Sequence, residues 1–478
     1  MPGVSVSVKG TQRATQTNSD GKFSISASSS ETLVFTAIGF LRQEFRVGDN
    51  KNFNVFLKED SKALDEVVVT GLGEERKTKS LGYSVPKISG DLIRSANTVN
   101  PISSLQGLVP GLAVMPGTGG PQSAPKFQIR GASSLSPGAN APLVVIDGIM
   151  LSEDALLPSR GGEQDFGNIL KDIAPDDIES ISILKGGSVV ALYGSRATNG
   201  VLLITTKKGY SQKGLGITFN HNETFDTPYA MADIQKEYGS GFNVKDVITN
   251  ANGTRQINPA SYGFSFGPKL DGLPILDAAG GRTITNSFLN DPLTLFNTGQ
   301  YINSNIAFQG GNEKTTFRLS YSNNVTTGIS PNNKLNRNSL SFRGTQKLAD
   351  ILMLDASISY VKTNALNPLT IQGDNNLIYA LSWGTPTNYD LGYWKNNYKD
   401  DLQGGINRND PFEYSALFYK LYRNKQQQKE NNFKGSVNAK LDITKWLQFE
   451  ALTAVSLYDT FLDITEPGMD PGYKGGYY

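Results

Sequence analysis

The 478-residue sequence has no cysteine, so disulfides, thiolate metal sites and cysteine nucleophiles are excluded together. It has one histidine, His221. That excludes a multi-histidine metal site and leaves any Ser/His/Asp triad with a single candidate base. His221 lies in the alternating stretch "ITFNHNETF", where a structural role is expected. No apolar run approaches the roughly 18 residues of a spanning helix, and no charged-then-apolar signal segment opens the chain. Met1 and Pro2 run straight into "VSVSVKG", so the native N-terminus with any export signal is expected to lie upstream. An excess of one charge is also lacking: 45 Lys and Arg stand against 44 Asp and Glu, net +1. A nucleic-acid partner is therefore not expected, since it calls for a basic stripe or excess.

What is abundant is Gly (50), Phe (23) and Tyr (20), a mix that suits β structure with many turns. The length exceeds what one core usually serves, so several domains are expected.

Residues 1–58 read as a small antiparallel β-sandwich. Val4, Val6 and Val8 alternate, "TNSDGKFSI" makes a turn and a second strand, and "TLVFTAIGF" and "FNVFL" complete the set. The turn "QTNSDG" approaches a calcium loop of the D-x-N-x-D-G type, but Gln16 stands where the first carboxylate belongs, so a plain hairpin turn is expected. Residues 59–79 form a linker around "ALDEVVVTG", a short β-branched strand between the polar flanks "KEDSK" and "GEERKTKS". Residues 80–209 are a compact, Gly-rich α+β region. In it Asp176 and Asp177 can cap a short helix after Pro175, and Asp147 and Gly148 in "VVIDGI" form a tight turn. Tyr193, Gly194, Asn199 and Gly200 shape the fold. "LKGGSVVALYG" matches neither G-x-x-x-x-G-K-[ST] nor G-x-G-x-x-G, which argues against a phosphate loop.

The segments "SLQGLVPGLAV", "FQIRGASSL", "PLVVIDGI" and "LKGGSVVALYGSRATNGVLLITTKKG" come in an order that resembles the plug domain of TonB-dependent outer-membrane transporters. "LDEVVVTG" and "VVIDG" are similar to the SusC/RagA-like branch of Bacteroidetes in particular. Residues 1–58 resemble the carboxypeptidase-regulatory-like domain, its first strand missing, through "GVSVSVKG", "DGKFSI" and "LVFTAIGF". The resemblance implies that Leu64, Asp65, Glu66, Val67, Val68, Val69 and Thr70 are a TonB box, which adds as a strand to the edge of the periplasmic energy transducer TonB. An edge strand of the sandwich is the alternative reading of the same residues. It also implies that Arg130 in "IRG" and Arg196 in "YGSRATNG" face acidic groups on a barrel wall as a plug-barrel latch. A surface or loop-ordering arginine is the other reading of each. A SusD-like surface lipoprotein partner, an oligosaccharide or peptide cargo and no cofactor are implied as well, with the N-terminal domain in the periplasm and the barrel in outer-membrane lipid.

Residues 210–478 test that reading independently. Seven alternating segments lie near 216–225, 301–309, 315–322, 338–345, 352–361, 433–441 and 447–457, each with the pattern of an outer-membrane strand. Their links alternate between short and longer, so tight turns fall at one end of the sheet and long loops at the other, as in up-and-down membrane barrels. Plugged transporter barrels have about 22 strands, so the chain is expected to hold the N-terminal portion of a barrel, as a fragment. The expected fold is thus mainly β: a sandwich, an α+β plug, then roughly seven barrel strands. The long loops, with "LGYWKNNY", suit either sugar stacking or packing of loops on one another. Two other classes stay open: a secreted or surface β-rich carbohydrate-binding or adhesion protein, and a two-carboxylate glycosidase, for which no acidic pair stands in a convincing setting.

Overall fold

The computed structural model describes residues 3–466 except for 58–66, 70–74, 78–84, 136–139, 152–159, 369–384, 401–404, 411–413 and scattered stretches of one or two residues. The chain divides into two compact units, Met1–Val85 and Pro86–Tyr478.

The first unit is built on a four-stranded antiparallel sheet of β1 (Ser5–Val8), β2 (Ala14–Gln16), β3 (Thr32–Thr36) and β4 (Gln43–Arg46), in the order β2-β1-β3-β4. Alternation drives it: Val4, Val6 and Val8 point to one side and pack on Leu33 and Phe35. The second strand precedes the expected turn instead of following it. Phe23, Ile25 and Ala27 cover the core face together with Phe53, Val55 and Leu57, yet neither stretch is a ladder strand. In the turn, Asn18 Oδ1 accepts the backbone N–H groups of Asp20 (3.0 Å) and Lys22 (2.9 Å), a self-satisfied turn of the kind Asn favours. Separate from this sheet, β5 (Val67–Val69) pairs antiparallel with β6 (Glu75–Lys77).

The second unit opens with a small α+β domain. Its main sheet takes β7 (Lys87–Ser89), β10 (Leu143–Ile146), β11 (Ile149–Met150), β14 (Ile178–Leu184) and β15 (Val201–Thr206) in the order β11-β10-β15-β14-β7. The β10–β15 pair is parallel. The helices α1 (Gly90–Ser95) and α2 (Gly187–Tyr193) and two ribbons, β8 (Leu112–Met115) with β9 (Lys126–Ile129) and β12 (Arg160–Gly161) with β13 (Gln164–Asp165), complete it. The core joins Ile93, Ile102, Leu105, Val144, Ile181 and Leu202, among others. Gly200 enters β15 at φ +92°, and a Cβ there would stand 2.9 Å from the Leu184 carbonyl oxygen, so both backbone and space demand glycine.

Seven antiparallel strands follow in one sheet: β16 (Gln212–Asp226), β21 (Gly299–Gly311), β22 (Thr315–Thr327), β23 (Lys334–Ala349), β24 (Leu352–Leu366), β25 (Lys425–Asp442) and β26 (Gln448–Thr465). All seven expected segments are strands, and each is longer than its alternating stretch. The apolar side of the alternation stops where the outward face turns polar, at residues such as Asn323, Asn338 and Asn431 next to Leu319, Tyr321 and Tyr360. The hydrogen-bonded ladder continues past that border. Links 312–314, 350–351 and 443–447 are short and lie at one end, whereas 227–298 and 367–424 are long and lie at the other. The first long loop folds a sheet of its own from β17 (Val247–Thr249), β18 (Arg255–Ile257), β19 (Pro274–Leu276) and β20 (Thr283–Thr285). The second carries α3 (Leu391–Asn396) and α4 (Tyr414–Arg423).

Candidate functional site: the seam between the α+β domain and the wall

Along the long strands one face meets the α+β domain and the other does not. Ile217, Phe219, Leu319, Leu340, Phe342 and Ile358 are exposed on the outer face. Their neighbours in sequence, Asn220, Arg318, Ser341 and Arg343, reach the domain. Period-two alternation thus presents a lipid-compatible band outward and a polar wall inward.

The inward wall holds the domain with fixed charges. Arg343 on β23 pairs with Asp147 at 2.9 Å and with Asp355 of β24 at 2.9 Å. It also donates to Thr206 Oγ1 at 2.6 Å. Asp147 is placed there by its turn: with Gly148 it forms the two-residue loop between the paired Ile146 and Ile149, at φ 47° and 87°, the type I′ geometry of tight hairpins. Thr206 then fixes the carboxylate through its backbone N–H (3.0 Å) and hydroxyl (2.6 Å).

A second contact centres on the turn Pro175–Asp177. Neither aspartate caps a helix: the N-cap of this 3-10 turn is Ala174, with no side-chain cap. Both carboxylates point at the wall. Asp177 pairs with Arg318 at 2.8 Å and accepts Ser341 Oγ at 2.7 Å. Asp176 accepts Asn303 Nδ2 at 2.8 Å and Asn220 Nδ2 at 3.0 Å. Nearer the long-loop end, the fully buried Arg337 donates to the Val99 carbonyl at 3.1 Å, to the Lys171 carbonyl and to Asn324. The polarity reverses where Lys171 of the domain pairs with Glu430 of β25 at 2.8 Å and where Lys208 pairs with Asp355 of β24 at 3.1 Å; beside the first, Asp172 accepts Asn432 Nδ2 at 2.7 Å and lies 3.8 Å from Lys434 Nζ of β25. An apolar patch of Val99, Phe166, Tyr301, Leu335 and Ala365 packs among these contacts. Buried charges survive only when paired and hydrogen-bonded, and here the pairing spans two structural layers.

Arg130 and Arg196 take no part in these pairs. Both are exposed and form no ion pair among the described residues; Arg130 sits at φ 61° with its N–H bonded to the Gly111 carbonyl at 2.8 Å. Arg196 approaches the Met150 sulfur at 3.6 Å. Of the box residues, Val67, Val68 and Val69 form β5, while Leu64, Asp65, Glu66 and Thr70 lie outside the described residues. His221 bonds Ser304 at 3.0 Å on the outer face. Trp394 of "LGYWKNNY" is buried in a loop cluster with Leu295, Leu391 and Phe418, and the Arg282 guanidinium lies 3.3 Å from the Tyr393 ring centroid. These aromatics therefore pack loops together. Among the described residues no group of His, Asp and Glu is arranged to hold a metal ion.

A compact domain pinned by charge to the inner face of a lipid-compatible antiparallel sheet, with tight turns at one end and long loops at the other, defines part of a plugged β-barrel. Comparison with known proteins agrees. Residues 77–201 match the TonB-dependent Receptor Plug Domain, and residues 1–69 match the CarboxypepD_reg-like domain. The TonB-dependent receptor SusC of Bacteroides thetaiotaomicron is 38% identical over 232 residues, covering 48% of this chain and 22% of that protein. TonB-dependent receptor P3 of Formosa agariphila is 30% identical over 339 residues, 70% of this chain and 29% of that protein. The RagAB peptide importer in its open-open state superposes with a TM-score of 0.57 at 20% identity, covering 83% of this chain and 42% of that one. The chain thus fits a fragment of a SusC-like TonB-dependent receptor, and the TonB-dependent receptors are a family of outer-membrane β-barrel proteins. It spans less than a third of the length of the curated relatives it matches.

Proposed function

We propose that this chain forms the plug and adjoining wall of an active importer, which takes an oligosaccharide or a peptide across the bacterial outer membrane. The plug closes the lumen at rest. TonB, engaged through residues 64–70, pulls on the plug's N-terminal side to open it, and a SusD-like surface lipoprotein lids the long-loop end. The N-terminal unit lies in the periplasm on this reading. Relatives of the chain are receptors and transporters, so no catalysis is assigned.

One observation carries the reading: the plug is joined to the wall by discrete ion pairs, above all Asp147 with Arg343 and Asp177 with Arg318, and not by one continuous apolar core. Such a joint is firm at rest yet divisible, because each charge released into water regains its hydration. The separate β5–β6 ribbon supports the box assignment, since β5 is not a member of the N-terminal sheet. Arg130 and Arg196 stand ready, on this reading, for acidic groups on wall segments other than these seven strands.

The test is growth of the source bacterium on single oligosaccharides or peptides, with the wild-type gene or with residues 64–70 deleted. Loss of growth on one cargo class, at an unchanged outer-membrane level of protein, is the expected outcome. Growth equal to wild type on every substrate, in a strain where deleting the whole gene abolishes it, would overturn the assignment.

A further inference from the structure

The wall grips the plug unevenly. Against β21 and β22 the inward side chains Asn303, Asn305, Ser320 and Ser322 are buried, and Asn303 and Arg318 bind plug carboxylates directly. Against β24, β25 and β26 the inward face carries Ser357, Ser359, Ser436, Ala454 and Ser456, which are half-buried or exposed, around one long side chain, Lys434, whose Nζ lies 3.8 Å from Asp172 of the plug. A cavity of about 140 Å³ lies there, bounded on the plug side by Ile146, Ile149 and Ile173.

Strand register sets its height. Ser357 is opposite Ser436, and Ser436 is opposite Ala454. Toward the long loops, on the same strands, stand Glu430 and Asn432 with their plug partners Lys171 and Asp172. Toward the short turns stands Asp355, bound to Arg343 and to Lys208. The cavity therefore lies between these two levels, with Lys434, opposite Ser359, reaching across to Asp172 at 3.8 Å.

Among the described strands, two physical terms make this the weakest part of the seam. Apart from Lys434, the wall side chains here are as short as serine and alanine and do not interlock with the plug, and a void leaves its lining without dispersion partners. Arg318, Asp172 and Ser339 line the cavity, and Arg318 Nη1, Asp172 Oδ1 and Ser339 Oγ are buried without a hydrogen-bond partner. Each such orphan is costly in a folded interior. Wetting this gap relieves these atoms, whereas wetting the β21–β22 face would break bonds already made.

We propose, on the importer reading, that the cargo route opens along the β24–β26 wall, between that small-residue track and the plug hairpin formed by β10 and β11, while the plug stays seated against β21 and β22. The track then forms one side of the passage, and its serine hydroxyls offer a cargo rich in hydroxyl or amide groups exchangeable hydrogen bonds.

The native chain has no cysteine, so single cysteines report without background. Ser357→Cys and Ser359→Cys on the track, and Ser320→Cys on the seated wall, are placed in the full-length protein in its own outer membrane. Cells with and without TonB, grown on complex medium, are treated with a small membrane-impermeant methanethiosulfonate. The expected result is TonB-dependent labelling at 357 and 359, several-fold above that at 320. TonB-dependent labelling at 320 with none on the track overturns the choice of wall and leaves the importer reading intact. Labelling indifferent to TonB at all three overturns gating itself. In a parallel uptake assay, Ser436→Trp, which fills the gap, lowers TonB-dependent uptake several-fold at an unchanged membrane level; uptake equal to wild type counts against the route.

Discussion

Arg343 and Asp147 lie 2.9 Å apart across the seam, one on the wall and the other in the turn of a plug hairpin. The same guanidinium holds Asp355 on the neighbouring strand, so one cation neutralises two buried carboxylates. Arg343→Met would leave Asp147 without its countercharge and Asp355 with Lys208 alone, 3.1 Å away. Breaking a buried pair from one side costs about 3–5 kcal/mol, and most of that cost falls on the joint between plug and wall. The expected outcome is a lower melting temperature in detergent and greater sensitivity of cells to bulky antibiotics. Adding Asp147→Asn and Asp355→Asn to Arg343→Met should recover part of the loss. An unchanged melting temperature in the single variant would show that the pair carries no load.

Lys171 and Glu430 offer a cleaner measurement, because each is almost wholly enclosed and their side chains are only 3% and 7% exposed. Lys171 Nζ also donates to the Phe166 carbonyl at 2.8 Å, and Gln428 donates to Glu430 at 2.6 Å. Replacing one member strands the other charge, whereas replacing both with apolar side chains of similar size removes the desolvation penalty along with the attraction. Lys171→Met and Glu430→Leu should each destabilise the folded protein by several kcal/mol, and the double variant by far less. Equal and additive losses in a double-mutant cycle would mean that the pair does not act as a unit.

The barrel strands were the most legible part of the sequence, for a simple reason: lipid on one side and plug on the other impose strict alternation through "TFRLSYS" and "FKGSVNAKL". Strand ends were less so, since the ladder outlasts the alternation. In the N-terminal unit, "KFSI" has the pattern of a strand but serves as an extended cover on the core, a distinction that lies in backbone pairing and leaves no mark on side-chain pattern. The contact of the Pro175–Asp177 turn with the wall is the hardest to see. Asp176 and Asp177 follow a proline, where local physics favours capping, and their partners Arg318 and Ser341 lie 141 and 164 residues away from Asp177. A signal did exist: Arg318, Arg337 and Arg343 fall at inward positions of alternating strands, where an unpaired cation would be costly.

The valine strand leads to a pair of opposed predictions. Val68 is opposite Arg76 in the β5–β6 ribbon, so one edge of the proposed TonB-binding strand is already occupied. Val68→Pro deletes a main-chain donor and should abolish binding of the TonB C-terminal domain. Arg76→Pro disrupts the competing strand instead and should tighten binding. Isothermal titration on the full chain tests both. Tight binding by Val68→Pro would rule out strand addition, and unchanged affinity in Arg76→Pro would place TonB on the opposite edge.

Asp277, in the turn between β19 and β20 of the first long loop, yields a pH dependence. Its Oδ1 accepts the N–H groups of Gly281 (3.2 Å) and Arg282 (3.4 Å), while Oδ2 is buried without a partner. Arg282, the nearest cation in the turn, is committed to Asp390 at 2.8 Å. Burial therefore pushes the Asp277 carboxyl above the usual carboxylate range, against the lowering effect of the turn's N–H groups and of Arg282. A raised acid binds its proton more tightly folded than unfolded. The loop sheet is then most stable below the ordinary carboxylate value of about 3.9 and loses stability as pH rises through the raised one. Asp277→Asn, which keeps an acceptor for the turn but carries no charge, should slow amide hydrogen exchange in Arg255–Ile257 and Thr283–Thr285 at neutral pH. That advantage over the wild type should vanish as pH falls toward about 4. A wild-type loop that exchanges no faster than the variant at neutral pH, after correction for intrinsic rates, would show that the buried carboxylate costs the loop nothing.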